Sequence, residues 1–207
     1  MIEKILDYLD QIIPNPKCEL NYSKDYELLM AVVLSAQTTD KRVNEVTTIL
    51  FDKYKTLNDL CNADIEDIKR IIKPIGTFNK KAFFVKEIAR TLLTDYNGVV
   101  PKTHSELERI PGVGRKSANV VLGVIYNIPS FAVDTHVERV SKRLGIAKTN
   151  DNVLTVEKKL MKAIPEEKWI RTHHQLVLFG RYYCKAMKPE CSTCQLREIC
   201  KKGKTNK

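Results

Sequence analysis

Four of the six cysteines lie within 17 residues near the C-terminal end of the 207-residue sequence: Cys184, Cys191, Cys194 and Cys200. Thiolates at this density bind either a tetrahedral zinc ion or an iron–sulfur cluster. Zinc sites more commonly combine two short Cys-x2-Cys pairs, whereas one pair here has that spacing and the flanking gaps are longer. The pattern therefore favours a [4Fe–4S] cluster held by residues 184–200.

A second chemical pattern is the stretch 110–123, IPGVGRKSANVVLG. Its two glycines predict a tight turn between two helices, and we expect Gly112 and Gly114 to permit positive φ and a close approach. The restarting helix exposes free N–H groups, which can bind phosphate. Lys116 lies in the first turn of that helix, where the peptide dipoles disfavour an ammonium ion. This lysine is either a solvated side chain or a nucleophile that is needed as the free amine.

Asp134, in FAVDTHVERV, directly precedes another predicted helix. An aspartate N-cap stabilises a helix by about 1 kcal/mol, and the cap also holds its carboxylate rigid. A lysine and a fixed carboxylate are the groups needed to displace a base from deoxyribose. The carboxylate stabilises positive charge on the sugar carbon, while the amine attacks that carbon and forms a Schiff base.

The overall charge is consistent with a nucleic-acid partner. Lys and Arg total 35 against 25 Asp and Glu, which gives a net charge of +10. Soluble basic proteins usually bind polyanions, although charge alone leaves a merely solvated basic surface open. No stretch approaches the roughly 20 apolar residues of a membrane span. We therefore expect no membrane association and a cytoplasmic, nucleoid-associated protein.

Nearly every segment has helical periodicity, and strand signals are scarce, so we predict an all-α fold. The lysine-rich end, 201–207, is expected to be frayed and solvated. The main predicted helices are one capped by Ser23, one within 62–76 that Pro74 and Gly76 end, one capped by Asn79, and those at 103–110, 114 onward, 134–145 (ended by Gly145), 152–164 and 166–183.

Together these motifs resemble the endonuclease III family of helix–hairpin–helix DNA glycosylases. The matching stretches are 28–40, 110–122, 132–140 and 173–184, together with the cysteine spacing. The resemblance implies a two-lobed, all-helical fold with DNA in the cleft between the lobes. One lobe is a six-helix barrel domain, 18–128. The other is a discontinuous domain, 1–17 with 129–207, that carries the [4Fe–4S] cluster on the four cysteines.

The resemblance also implies roles for individual residues. Lys116 matches the Schiff-base lysine, Asp134 the catalytic aspartate, and Glu108 an acid that assists proton transfer. Gln37 matches the residue that fills the gap left by a flipped-out nucleotide. At the second intercalating position, where the family often has leucine, this chain has Thr77, a poorer wedge.

Other residues are expected to contact DNA. Phe78 is an alternative to its neighbour Thr77 as the opposite-strand wedge. Lys185 and Lys188, on the loop that the metal would fix, either bind phosphates or are simply solvated. The hairpin contacts are assigned to Gly112, Val113, Gly114 and Arg115.

The activity implied by the resemblance is removal of oxidised or saturated pyrimidines from double-stranded DNA, followed by strand cleavage through β-elimination. The damaged base would be flipped into a pocket, and the protein is expected to act as a monomer.

An adenine-mismatch glycosylase is disfavoured because that branch typically lacks both a lysine at position 116 and the string VDTH. A non-catalytic DNA-binding module is the other alternative. His173 and His174 are expected to pack on a helix, and Cys18 and Cys61 to be inert thiols.

Overall fold

The structure, a computed structural model, describes residues 1–205, and within that range it contains helices and no β-strand. The prediction of an all-α fold is confirmed. The helices are α1 (Ile2–Ile12), α2 (Asp25–Leu34), α3 (Asp40–Lys53), α4 (Leu57–Asn62), α5 (Ile65–Ile72), α6 (Phe78–Asp95), α7 (His104–Leu107), α8 (Arg115–Tyr126), α9 (Thr135–Leu144), α10 (Val153–Ala163), α11 (Trp169–Leu178) and α12 (Lys201–Thr205).

The backbone divides into two units, each with its own contacts. The internal unit runs from Glu19 to Tyr126 and contains α2 to α8. The split unit combines Met1–Cys18 with the chain from Asn127 onward. The sequence predicts domains that divide at residues 17/18 and 128/129, and this domain assignment stays a prediction.

Helix α2 lies at the centre of the internal unit. Every residue from Glu27 to Leu34 is buried, because the helix is apolar on nearly all of its faces. It packs against α3, α6 and α8, while α6 also packs against α4 and α5. The C-terminal end of α2 and the N-terminal end of α6 therefore both belong to helices that pack against several neighbours.

A carboxylate joins α3 to α5 in the same unit. Asp67 accepts hydrogen bonds from Lys53 Nζ at 2.6 Å and from the Tyr54 hydroxyl at 2.5 Å. These bonds hold the pKa of Asp67 below its usual range. Burial together with the bond to Asp67 raises the pKa of Tyr54 to about 12.

The split unit is organised around α1, α9 and α11. Helix α1 contributes Ile5 and Leu9 to a core that also includes Phe131, Val137 and Leu176. The Asp10 carboxylate on α1 accepts hydrogen bonds from Arg171 and Gln175 on α11, each at 2.8 Å. The N-terminal helix is thereby fastened to a helix more than 150 residues away in sequence.

Several predicted helix ends are wrong. Helix α2 begins at Asp25 rather than after a Ser23 cap, because the Glu27 carboxylate accepts the N–H groups of Ser23 and Lys24 itself. Helix α6 begins at Phe78, so Asn79 is not its cap.

Two further predicted helices differ in their geometry. The helix expected at 103–110 ends at Leu107, and the N–H groups of Arg109 and Ile110 bond carbonyls three residues back. The tightening is consistent with Pro111, which disfavours α geometry in the preceding residue. The segment 166–183 is a 3₁₀ turn, α11 and a π-helical turn in succession.

The C-terminal end also departs from the prediction. Residues 201–205 form α12 rather than a frayed tail, and Gly203 is buried against the backbone of Arg197. Residues 206–207 of the same predicted tail lie outside the described residues. Of the helices in residues 1–205, none combines the length and apolar character required to cross a bilayer.

We expect the Tyr54 phenol to titrate near pH 12 rather than near 10. The folded-state pKa is raised, so the stabilisation from its proton is complete below pH 10 and is lost as the pH rises towards 12. The measurement is tyrosinate absorbance at 295 nm in the wild type and in Tyr54→Phe. The difference between the two curves isolates this phenol, and a difference centred near pH 10 would contradict the half-buried hydrogen bond to Asp67.

Candidate functional site

The hairpin, residues 110–114, is fixed by one close approach. Gly112 has φ +87°, and a Cβ there would lie 2.7 Å from the Phe84 ring and 3.1 Å from Val33. Gly114 differs: its φ is not positive, and a Cβ there would meet no described atom within 4 Å. The expectation of positive φ at both glycines is thus wrong for Gly114, because the turn requires the left-handed conformation once.

The side chain of Val113, between those glycines, is buried, and its N–H donates to Ile110 O at 3.0 Å. Helix α8 begins at Arg115, and its first intrahelical bond runs from Ala118 N–H to Gly114 O at 2.9 Å. The N–H groups of the first turn therefore have no carbonyl of their own helix to bond.

Lys116 lies in that first turn and is half-buried. Within residues 1–205 its ammonium forms no hydrogen bond and no ion pair, so no described acceptor holds it in place. The lysine is thus available to an outside partner, at the helix end where a positive charge is least favoured.

Glu108 follows α7 and is exposed. Its Oε1 lies 3.4 Å from His104 Nδ1, and His104 Nε2 lies 2.6 Å from Asn119 Oδ1. Asn119 is on α8, one turn beyond Lys116. The chain of contacts therefore links the proposed acid to the helix of the proposed nucleophile. Sequence reasoning missed His104 and Asn119, whose pairing has no signal in the sequence.

The two candidate wedge positions have the same unusual backbone. Gln37 and Thr77 both have φ 55°, the left-handed region, and both side chains are exposed. Gln37 lies in the Gln37 loop, residues 35–39, after α2. Thr77 ends the Thr77 loop, residues 73–77, before α6, and Phe78 beside it is half-buried. Non-glycine residues in this region are held there by surrounding structure and cluster at functional sites.

In the split unit, Asp134 is the N-cap of α9. Its Oδ1 accepts the N–H groups of His136 at 2.9 Å and Val137 at 2.8 Å. His173 is buried, with Nδ1 2.8 Å from Ala132 O, and so supports the segment that leads to Asp134. His174 packs against the His173 ring, and burial lowers its pKa.

All four clustered cysteines line one partly open cavity in the same unit. Apolar and aromatic side chains, among them Tyr8, Leu144 and Phe179, form much of the remaining wall. Burial raises the pKa of the Cys184 and Cys194 thiols. Thiolates in such a wall require a cationic partner, which a bound metal supplies as it displaces the protons. The chemistry of the donor set, four thiols in a largely apolar wall, therefore fits a thiolate-bound metal cluster.

Two arginines of α9 hold the first of these cysteines. Arg143 donates to Cys184 Sγ at 3.2 Å and to Lys185 O at 2.7 Å. Arg139 donates to Gly180 O at 2.7 Å and to Cys184 O. Helix α9 thus carries Asp134 at its start and supports the cysteine loop near its end. The spacing of these arginines on one helix face was visible in the sequence but their partner was not.

The lysines predicted on that loop are both exposed. Lys185 forms an ion pair with Glu190 at 3.1 Å, and Lys188 has φ 50°.

No group of three Cys, His, Asp or Glu side chains among residues 1–205 is arranged to hold a single metal ion.

The predicted site residues fall into two sets. The internal unit contains Gln37, Thr77, Phe78, Glu108, the hairpin, Arg115 and Lys116. The split unit contains Asp134, the four cysteines, Lys185 and Lys188. The approach of Asp134 to Lys116 across a cleft stays a prediction.

Comparison with known proteins defines the class. The model of the HhH-GPD superfamily of base excision DNA repair proteins matches residues 30–166. A thermostable thymine-DNA glycosylase, 24% identical with a TM-score of 0.84, shares the fold across 98% of this chain and 94% of its own. The helix–hairpin–helix repair fold predicted from the sequence is confirmed.

More similar proteins identify the branch. Endonuclease III of Bacillus subtilis (strain 168) is 48% identical over 98% of this chain and 92% of its own length. Endonuclease III of Escherichia coli (strain K12) is 44% identical over 95% and 93%. A trapped endonuclease III–DNA covalent intermediate is 49% identical with a TM-score of 0.95, over 98% and 95% of the two chains. The chain belongs to the endonuclease III family. It is a base excision repair enzyme with DNA glycosylase and abasic-site lyase activity.

We expect alanine to be far less tolerated at Gly112 than at Gly114. Gly112→Ala combines a left-handed backbone with a Cβ that overlaps Phe84, which costs about 1–3 kcal/mol. Gly114→Ala adds a methyl group to open space and should change the free energy of unfolding by about 0.5 kcal/mol or less. Urea unfolding of both variants measures the difference, and equal losses would show that the hairpin does not depend on this contact.

Proposed function

We propose that the chain removes oxidised or saturated pyrimidines from double-stranded DNA, with Lys116 as the nucleophile. The observation that carries the proposal is the position of Lys116, half-buried and unpaired within residues 1–205, in the first turn after the hairpin. A structure 49% identical to this chain is a covalent intermediate with DNA, which supports covalent chemistry at this site.

The reaction begins with the free amine of Lys116. The amine attacks C1′ of the damaged nucleotide, the N-glycosidic bond breaks, and the base departs with the bonding electrons and acquires a proton. Asp134, whose carboxylate is held by two N–H groups of α9, stabilises positive charge on the sugar. Opening of the sugar ring gives the lysine Schiff base, and loss of a C2′ proton then expels the 3′ phosphate.

Glu108 transfers protons in this scheme. Its exposed carboxyl group can accept a proton from one step and donate it in another. The contact with His104, which Asn119 holds, restricts where that carboxyl group points. We therefore assign Glu108 to proton transfer and not to nucleophilic attack.

The hairpin and two loops bind the DNA. A phosphate approaches the N–H groups at the start of α8, assisted by Arg115 and by the absence of a side chain at Gly112 and Gly114. Val113 contributes no N–H, because that group is bonded to Ile110 O.

Gln37 fills the gap left by the flipped nucleotide, and Thr77 or Phe78 enters opposite. Lys185 and Lys188 bind phosphates beside the cysteine loop.

The four cysteines hold a [4Fe–4S] cluster in this proposal. When bound, the cluster would cross-link the segment 184–200, and its positive iron ions would stabilise the thiolates, of which that of Cys200 is buried and the other three are half-buried. Arg143, through Cys184 Sγ, and Arg139, through the Cys184 carbonyl, orient the first ligand. We further infer that the protein acts as a monomer in the nucleoid of the cytoplasm.

Metal analysis tests the cluster. Protein purified without oxygen should contain about four iron atoms and about four sulfide ions per chain. Cys194→Ser should lower the iron content and the unfolding temperature, whereas Cys61→Ser, at a cysteine outside the cavity, should change neither. One zinc ion per chain in place of iron would overturn the assignment.

Borohydride trapping tests the nucleophile. Wild-type protein incubated with a thymine glycol duplex and reduced in place should become covalently linked to DNA, because borohydride reduces the Schiff base to a stable amine. Lys116→Ala should abolish the adduct and keep most of the affinity for undamaged duplex. The readout is a shifted band on a denaturing gel.

Asp134→Asn tests the carboxylate in the same assay. Asparagine caps helices as well as aspartate does, so stability should be kept, while base release should slow by about a hundredfold because the charge is gone. Base release without an adduct in the wild type would contradict the lyase mechanism. Binding with neither product would favour a non-catalytic DNA-binding module.

A further inference from the structure

Lys81, in the first turn of α6, is a buried lysine for which the scheme above has no role. Its side chain is 3% exposed, although lysine is almost never fully buried without a partner of opposite charge. No carboxylate within residues 1–205 forms an ion pair with it. Burial lowers its pKa.

The Lys81 ammonium instead donates to the Gln37 loop. Nζ lies 2.7 Å from Ala36 O and 2.9 Å from Thr38 Oγ1. These two acceptors come from the residues on either side of Gln37. The loop also follows the C-terminal end of α2, where the helix dipole favours a cation. The lysine therefore bonds both flanks of the residue whose backbone is left-handed.

The main chain of Lys81 bonds the other loop. Its N–H donates to Thr77 O at 3.1 Å, which closes the first turn of α6 on the second left-handed residue. One residue thus contacts the two loops that present exposed side chains in unfavourable backbone conformations. Neither loop holds its conformation through a glycine at the strained position.

We propose that Lys81 is a positioning residue that fixes the Gln37 loop relative to the Thr77 loop and so keeps both wedges ready to enter the base stack. The inference rests on the proposed function, in that Gln37 and Thr77 or Phe78 insert into DNA. Lys81 touches neither the reacting atoms nor, being buried, the phosphates. Lys81 affects the rate at which a nucleotide is extruded, because it holds the two loops in the conformation from which their wedge residues insert.

Lys86 provides a matched control on the same helix. Its ammonium donates to Ala63 O, a main-chain carbonyl in the α4–α5 connection. Lys86→Met, like Lys81→Met, removes one charge and one lysine–carbonyl hydrogen bond, and it alters neither wedge loop. Lys81→Met also removes the bond to Thr38 Oγ1, which Thr38→Val removes separately.

The experiment measures nucleotide extrusion without chemistry. The full-length, cluster-loaded protein is mixed in stopped flow with a duplex that contains a tetrahydrofuran abasic analogue and 2-aminopurine beside it, whose fluorescence rises on unstacking. Lys81→Met should slow the rise by about tenfold, in line with losing hydrogen bonds from a charged group. Lys86→Met should match the wild type. Lys81→Arg, which keeps donors and charge, should recover part of the rate.

Two further variants keep the test sharp. Thr38→Val removes one acceptor and leaves the lysine in place, so it should also slow extrusion, by a smaller factor. This variant tests the proposal even if Lys81→Met does not fold. In a Gln37→Ala background, Lys81→Met should have much less effect than in the wild type, because the wedge it positions is gone.

Three results would overturn the proposal. The first is extrusion at the wild-type rate in both Lys81→Met and Thr38→Val. The second is an equal loss from Lys81→Met with and without Gln37. The third concerns the dependence of duplex affinity on salt. If the plot of log affinity against log salt is less steep by about one in Lys81→Met than in the wild type, Lys81 is a phosphate contact. Borohydride trapping of the wild type reports separately on the proposed function, so the two failures are distinguishable.

Discussion

The packing of a bare backbone on an aromatic ring organises the internal unit. Gly112 rests so close to Phe84 and Val33 that no side chain fits between them. Phe84 belongs to α6 and Val33 to α2, and the same two helices carry the Thr77 loop at the start of one and the Gln37 loop at the end of the other. The hairpin, proposed to bind phosphate, and the two loops proposed to carry the wedges are therefore built on one pair of helices, and Lys81 joins the loops directly.

The split unit solves a similar problem with polar contacts. Helix α9 starts with the carboxylate of Asp134, fixed by two of its own N–H groups, and near its end Arg139 and Arg143 bond the backbone and the thiol of Cys184. A single helix thus connects the proposed catalytic carboxylate to the first proposed cluster ligand. The proposed cluster would hold that helix end through these bonds, with no change in redox state.

Much of this was accessible from residue types and spacing. Helical periodicity predicts the all-α fold, and the motifs around Lys116 and Asp134 indicate the family, which the comparisons confirm. The predicted ends of helices were less accurate. Ser23 and Asn79 have good capping chemistry, yet Lys24 and Thr77 stand at the N-cap positions of α2 and α6 in the structure, because a cap of about 1 kcal/mol yields to the packing of these two helices.

The sequence by itself determined the chemistry that the chain can perform, since a lysine after a Gly-Val-Gly turn, a capping aspartate and four clustered cysteines are local patterns. Only the tertiary structure decided which groups hold them. The bonds of Lys81 to Ala36 and Thr38, of His104 to Asn119, and of Arg143 to Cys184 join residues 15 to 45 positions apart. Such contacts depend on how helices pack, which no local spacing encodes. For the same reason Gly112 and Gly114, alike in the sequence, differ in the fold: one is enclosed by α2 and α6, and the other faces open space.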